Sequence, residues 1–159
     1  MSYVKTIEEL FQIRKELKAQ NKKVVFTNGV FDILHAGHVD YLAKAKEFGD
    51  VLIVGVNSDA SVKRIKGELR PVVPQQERAF IISSLKPVDF VTIFEEDTPF
   101  AVINKLIPDV LVKGADWTKD KIVGADIVEA NGGSVETIEF VNQTSTTNII
   151  KTVLEKHKD

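Results

Sequence analysis

Val24-Val-Phe-Thr-Asn-Gly-Val-Phe-Asp-Ile-Leu-His-Ala-Gly-His38 decides how the chain is read. Its opening run, Val24–Thr27, is short, apolar and β-branched, as a strand buried on both faces must be. Similar runs follow at Val51–Val56, Phe90–Phe94, Val110–Val112 and Val135–Ile138, separated by segments long enough for crossover helices. Five strands with alternating helices predict the α/β class and a doubly wound, five-stranded parallel sheet. The intervening helices carry start and stop signals. Gly49 follows Val39–Phe48 as a C′ residue, Pro74 opens Gln75–Leu85, Thr98-Pro99 caps Phe100–Leu106, and Asn131-Gly-Gly133 closes another. An extra helix precedes the first strand: Thr6 and Glu9 form a capping box, and Ile7, Leu10, Phe11 and Leu17 fall close to one face. The expected organisation is one domain over 1–159, with an N-terminal helix in 1–21 and a core in 22–159.

A chain of 159 residues leaves no room for a second folded unit. At 43% hydrophobic and 28% charged it is a soluble globular protein, and disorder is excluded. The formal charge of -2 supplies no global field for nucleic acid or for an anionic membrane, so neither is an expected partner and any phosphate must be held locally. With no Cys, disulfides, thiolate nucleophiles and Fe–S clusters cannot form, which fits the cytoplasm. No stretch reads as a signal peptide or a membrane span.

Ligands of an open parallel sheet sit beyond the carboxyl ends of its strands, which directs attention to Asn28–His38. Neither a three-glycine dinucleotide fingerprint nor a Walker loop occurs in the chain, against a nicotinamide dehydrogenase or a P-loop kinase. Two of the three histidines, His35 and His38, lie three residues apart where the first crossover helix should begin. That spacing puts both imidazoles on one helical face beside a helix N-terminus, where N–H groups attract anions. Gly29 and Gly37 let the backbone approach closely. The bland alternative makes the histidines a cap and a half-buried core residue. Asp32 is the carboxylate best placed to support a metal, or else closes an Asx-type turn.

The stretch Gly29-Val-Phe-Asp-Ile-Leu-His-Ala-Gly-His38 resembles the signature of the cytidylyltransferase-like nucleotidyltransferases, enzymes of Rossmann-like fold that join a nucleoside triphosphate to a phosphorylated small molecule. The stretches Val56–Asp59, Lys63–Gly67, Arg70–Pro74, Gln76–Arg78, Phe94–Pro99, Val112–Trp117 and Ser145–Ile150 are most similar to the adenylyltransferases that make ADP-heptose from D-glycero-β-D-manno-heptose 1-phosphate. The resemblance implies ATP and a sugar 1-phosphate as partners, phosphate-bound Mg²⁺ with no protein metal centre, and a homodimer. It makes His35, His38 and Lys66 catalytic. It assigns the nucleotide to Asn28, Gly29, Phe31, Asp32, Gly37, Arg78, Lys113, Gly114, Asp116, Trp117, Thr144, Ser145, Thr146 and Thr147. The second substrate falls to Asn57, Asp59, Lys63 and Arg70.

Taken by themselves these residues leave choices open. The run Lys63, Arg64, Lys66 and Arg70 reads as a solvated face or as the cations that two anionic substrates need, in a long polar stretch, Ser58–Pro74, expected to be a mobile substrate loop. Arg78 is a nucleotide contact or an exposed helix charge, and Trp117 a core anchor or a wall for the base. An N-cap explains one hydroxyl of Thr144–Thr147 but not four. One departure bears on the base: cytidylyltransferases acting on glycerol 3-phosphate carry Arg-Thr-Glu-Gly-Ile before their Ser-Thr run, whereas Phe140-Val-Asn-Gln-Thr144 stands here. Related heptose enzymes are often fused to a sugar kinase, which this length cannot contain, so a separate protein is expected to supply the sugar phosphate. The alternatives are a transferase of the same family acting on glycerol 3-phosphate, an alcohol-amine phosphate or FMN, and a non-catalytic flavodoxin-like module.

Overall fold

In a computed structural model, which describes residues 4–140 and 144–158, the chain forms a five-stranded, all-parallel sheet. The strands are β1 (Val24–Gly29), β2 (Val51–Asn57), β3 (Phe90–Phe94), β4 (Val110–Gly114) and β5 (Ser134–Ile138). Their spatial order, β3-β2-β1-β4-β5, places β1 at the centre and is the doubly wound arrangement expected. The helices are α1 (Ile7–Ala19), α2 (Ala36–Lys46), α3 (Asp59–Lys66), α4 (Gln75–Ser83), α5 (Phe100–Leu106), α6 (Ala125–Ala130) and α7 (Thr146–Lys156).

Alternation along the strands splits the core into two layers. Val25, Leu52, Val54, Val56, Val110 and Val112 face α2 and α4, where they meet Leu42, Ala45, Ala79 and Ile82. Their neighbours Val24, Phe26, Ile53, Leu111 and Val135 point the other way, onto Leu10, Val102, Ile103 and Val128 of α1, α5 and α6. Burial on both faces is why these strands are continuously apolar.

β1, β2 and β4 run past their apolar stretches. The parallel ladder continues through Asn28↔Gly55, Gly29↔Val56, Asn57↔Phe94 and Lys113↔Thr137, so polar residues are carried in extended backbone to the carboxyl edge. The expected loop Ser58–Pro74 is half helix. The Ser58 hydroxyl accepts the Ser61 N–H at 3.1 Å, Ser61 and Val62 are buried, and α3 ends at Gly67 with φ 100°. Its basic last turn suits the helix dipole. Gly49 is not a left-handed C′ residue; a side chain there would strike the Lys23 carbonyl and Val25.

The N-terminal helix is built into the core. The capping box forms, with the Thr6 hydroxyl accepting from Glu9 and the Glu9 carboxylate from the Thr6 N–H. Buried Arg14 donates to the carbonyls of Leu106 and Ile107 and to Asp109, whose other oxygen accepts the Val24 N–H. Val4 bridges to Val91, extending the contact to the β3 edge. Leu10 is fully buried, so Leu10→Ala should cost about 2–5 kcal/mol in urea unfolding. A loss below about 0.5 kcal/mol would mean that α1 is dispensable to the core.

Candidate active site

The carboxyl ends of β1, β4 and β5 and the start of α2 surround a cavity of about 400 Å³. His35 is the N-cap residue of α2 in extended backbone, but its side chain makes no capping bond; instead its ring stacks on that of His38, with centroids 3.8 Å apart and an interplanar angle of 26°. Gly37 makes this stack feasible, because a Cβ there would lie 3.0 Å from the His35 ring. Phe31, held at φ 48°, meets His38 edge-on at 5.3 Å. Both Nδ1 atoms are buried and without a hydrogen-bond partner among the described residues. Burial pushes the His35 pKa down, and burial together with neighbouring His35 brings that of His38 down to about 4. The pair is therefore neutral at pH 7, and a bound polyanion would favour its protonation.

Of the other residues assigned to the nucleotide, Asn28, Gly29, Lys113, Gly114, Asp116, Trp117, Thr144, Ser145 and Thr146 line the same cavity. The Ser145 hydroxyl caps α7 by accepting from Asn148, and the Thr146 hydroxyl meets the backbone of Ile33, tying α7 to the loop that carries the histidines. Thr147 is exposed and outside the cavity. Trp117 is not a core anchor; it is 47% exposed and forms cavity wall. Gly114 has no room for a side chain, which would enter the Phe140 ring and the Asp116 carboxylate. Three wall residues, Val30, Tyr41 and Phe140, escaped the sequence reading. Tyr41 sits one helical turn past His38, its hydroxyl 2.8 Å from that of Thr27, and Phe140 stacks on it at 5.3 Å. The spacing from His38 could have revealed Tyr41; Phe140 enters only through the departure from the glycerol-phosphate enzymes, and Val141–Gln143 of that stretch lie outside the described residues.

Four charged residues expected to meet ligands, Arg78, Asp59, Asp32 and Arg70, bond to the protein itself. Arg78 is 1% exposed and donates to the Val30 carbonyl at 2.5 Å, the Val73 carbonyl at 2.9 Å and Asp59 at 2.8 Å. It is not the exposed helix charge, it lines neither this cavity nor the one beside it, and Asp59 is its ion-pair partner. The Asp32 carboxylate accepts from the Val72 and Val73 N–H groups and from Arg70 at 2.5 Å, so Arg70 too is committed. Burial would raise the Asp32 pKa, but the two N–H groups and the guanidinium outweigh it and hold the carboxyl below its usual value. The Asp32 side chain is fully buried with both oxygens engaged, and it lines neither this cavity nor the one beside it. Asp116 is the one carboxylate lining the cavity, and no three metal-ligating side chains cluster among the described residues. Such a donor set suits a cation held by a ligand's own oxygens.

A second cavity, of about 380 Å³, shares Asn28, Gly29, Val30, Lys113 and Trp117 with the first. Beyond that common wall it is lined by Asn57 and Lys66, both foreseen, and by Asp97, Thr98, Ile65, Ile122 and Val123, which were not. Asp97 and Thr98 follow β3 at the ligand edge, a position that could have flagged them. Lys66 thus belongs to this second cavity, and Lys63 lies on α3 outside both.

The family model described as cytidylyltransferase-like matches residues 26–152. The bifunctional protein HldE of Geobacter sulfurreducens is 53% identical over 154 residues, 97% of this chain and 31% of that protein. The same-named protein of Campylobacter concisus is 56% identical over 156 residues, 98% of this chain and 32% of its own. The chain thus spans about a third of the length of these curated relatives. Among solved structures, a lipopolysaccharide core biosynthesis protein from Thermoplasma volcanium superposes with a TM-score of 0.61 at 31% identity, covering 77% of this chain and 99% of that one. Pantoate-beta-alanine ligase from Francisella tularensis, solved with beta-gamma ATP and beta-alanine, has the same TM-score at 17% identity over 98% of this chain and 79% of that one, a likeness of fold alone. Its sequence, its sheet and its paired histidines agree, and the chain belongs to the cytidylyltransferase-like family of nucleotidyltransferase enzymes.

Proposed function

We propose that the protein transfers AMP from ATP to D-glycero-β-D-manno-heptose 1-phosphate, giving ADP-heptose and pyrophosphate. The observation behind this reading is the stacked, unpartnered His35–His38 pair in a cavity that shares a wall with a second one. Two adjoining cavities suit a reaction between two bound anions. The first takes the triphosphate, with the histidines and the starts of α2 and α7 as donors; the second takes the phosphorylated sugar, with Lys66 at its mouth and Asn57, Asp97 and Thr98 as hydroxyl partners. The heptose assignment rests on the motif resemblance and on the relatives named HldE.

An acceptor phosphate oxygen attacks the α-phosphorus while the bond from that phosphorus to the pyrophosphate oxygen breaks. A sugar phosphate is already ionised above about pH 6, so no general base is required. Catalysis reduces to alignment and to donors aimed at the charge that builds on the phosphates. Mg²⁺, bound to the triphosphate oxygens, would supply additional neutralisation.

Pyrophosphate release measured with ATP or CTP against heptose 1-phosphate and glycerol 3-phosphate, in Mg²⁺, should be strong for ATP with the sugar phosphate. Equal release without an acceptor would make the protein a hydrolase, and preference for CTP with glycerol 3-phosphate would overturn the assignment of substrates.

Because neither histidine ring is held by a hydrogen bond at Nδ1, His35→Ala and His38→Ala should each lower kcat by about 10²–10³ with little change in thermal unfolding. A large drop in Tm with normal turnover per folded molecule would return them to structural roles. Lys66→Ala should raise KM for the acceptor several-fold and leave KM for ATP near its original value; the reverse pattern would move the second cavity to the nucleotide.

A further inference from the structure

Of the five residues common to both cavities, Asn28, Gly29, Val30, Lys113 and Trp117, only Lys113 carries a charge. Its ammonium donates to the Asn28 side-chain carbonyl at 2.5 Å and lies 5.8 Å from the Trp117 ring centre. An ammonium has three N–H donors, and Asn28 is the only described residue that takes a hydrogen bond from this one. The other cations near the site are committed or one-sided. Arg70 is held by Asp32, Arg78 by Asp59 and backbone carbonyls, Arg64 by Asp97 and the Glu95 carbonyl, and Lys66 lines the second cavity alone.

The reaction proposed above makes one demand that the histidines do not meet. Two phosphates, each negative, must come within bonding distance where the cavities join, and Coulomb repulsion at that separation is large wherever water is thinned out. We propose that Lys113 is a catalytic residue that bridges the attacking phosphate of the acceptor and the α-phosphate of the nucleotide across the wall between the cavities. It donates hydrogen bonds to both and transfers no proton. The new bond forms between the acceptor oxygen and the α-phosphorus, and the electron pair of the broken bond leaves with pyrophosphate. The inference rests on the reading of function just given.

The charge state of Lys113 makes the role testable. Burial draws its pKa down to about 8, partly opposed by Asp116 at the end of the same strand. Other titratable and charged groups face it from two sides. From α2, His38 is near 4 and Tyr41 near 12, with His35 below its usual value. From the far cavity, Lys66 and Asp97 face it, the latter ion-paired with Arg64 at 2.6 Å. Since kcat/KM reports ionisations of the free enzyme and the bridge needs the protonated amine, kcat/KM for ATP at subsaturating acceptor should fall above about pH 8. Arg keeps its charge throughout that range.

The experiment measures ADP-sugar formation from pH 6.5 to 10 for the wild type, Lys113→Met and Lys113→Arg, each first checked for native circular dichroism and melting. ATP binding is followed in parallel through the fluorescence of Trp117, the only tryptophan of the chain. Lys113→Met should lose about 10² or more in kcat/KM for the acceptor while its ATP affinity changes less than tenfold. Lys113→Arg should recover at least a tenth of the wild-type rate and lose the limb near pH 8. A Met variant within threefold of wild type, a limb near pH 8 that persists in the Arg variant, or a loss of ATP affinity as large as the loss of kcat/KM would each overturn the bridge. Wild-type protein that forms no ADP-sugar would overturn the reading of function itself, whereas failure of Lys113 alone leaves wild-type turnover intact.

Discussion

Two buried ionic side chains hold the loop on which the whole site depends. Residues Val30–Leu34 leave the central strand and must reach the start of α2 without secondary structure of their own, with Phe31 at φ 48°. Asp32 grips the Val72–Val73 backbone and Arg70 from one side, and Arg78 grips the Val30 and Val73 carbonyls and Asp59 from the other. Each charge is matched by several donors or acceptors, the condition under which burying it is tolerable. The cross-links fix Val30 and Asp32 on either side of Phe31, and Phe31 is the ring against which His38 rests. Backbone strain, histidine stacking and the shape of the first cavity therefore follow from this one network, which never touches its interior.

That dependence explains what could and could not be seen in the sequence. The five strands and the doubly wound class were legible because apolar runs of β-branched residues have few other uses in a chain of this length; the strand order came only with the tertiary structure. The carboxyl ends of β1 and β4 were not, because Asn28-Gly29 and Lys113-Gly114 read as turns when judged by composition; ladder bonds to already placed neighbours keep them extended. The helix inside Ser58–Pro74 was hidden for a related reason. Its only large apolar residues, Val62 and Ile65, fall on one face but are too few to stand out in a basic stretch, and it is stabilised by the Ser58 cap and by burial of Ser61 and Val62.

The site residues divide along a similar line. His35, His38 and the Ser145–Thr146 pair could be placed because their backbone setting, a helix start, is a local property. Arg78 and Arg70 could not be distinguished from ligand-binding cations, since only tertiary structure shows that Asp59 and Asp32 reach them first. Motif resemblance transfers residue identity reliably and the role of a residue less so, for an arginine can be indispensable to a phosphate site by shaping it as well as by touching it.

Electrostatics sets the last constraint. Most charges around the two cavities cancel in pairs, and the imidazoles are neutral at pH 7, so the site holds little net positive potential before substrates arrive. A chain carrying a formal charge of -2 cannot rely on a general field to collect two phosphates. Its attraction must come from oriented dipoles, namely the N–H groups at the starts of α2 and α7, and from donors that gain charge as the ligand does. A triphosphate entering the first cavity raises the proton affinity of the imidazoles and of Lys113, so binding itself recruits the positive charge that the chemistry then uses. The same low dielectric that lowers the proton affinity of these groups strengthens every contact they make with a bound phosphate.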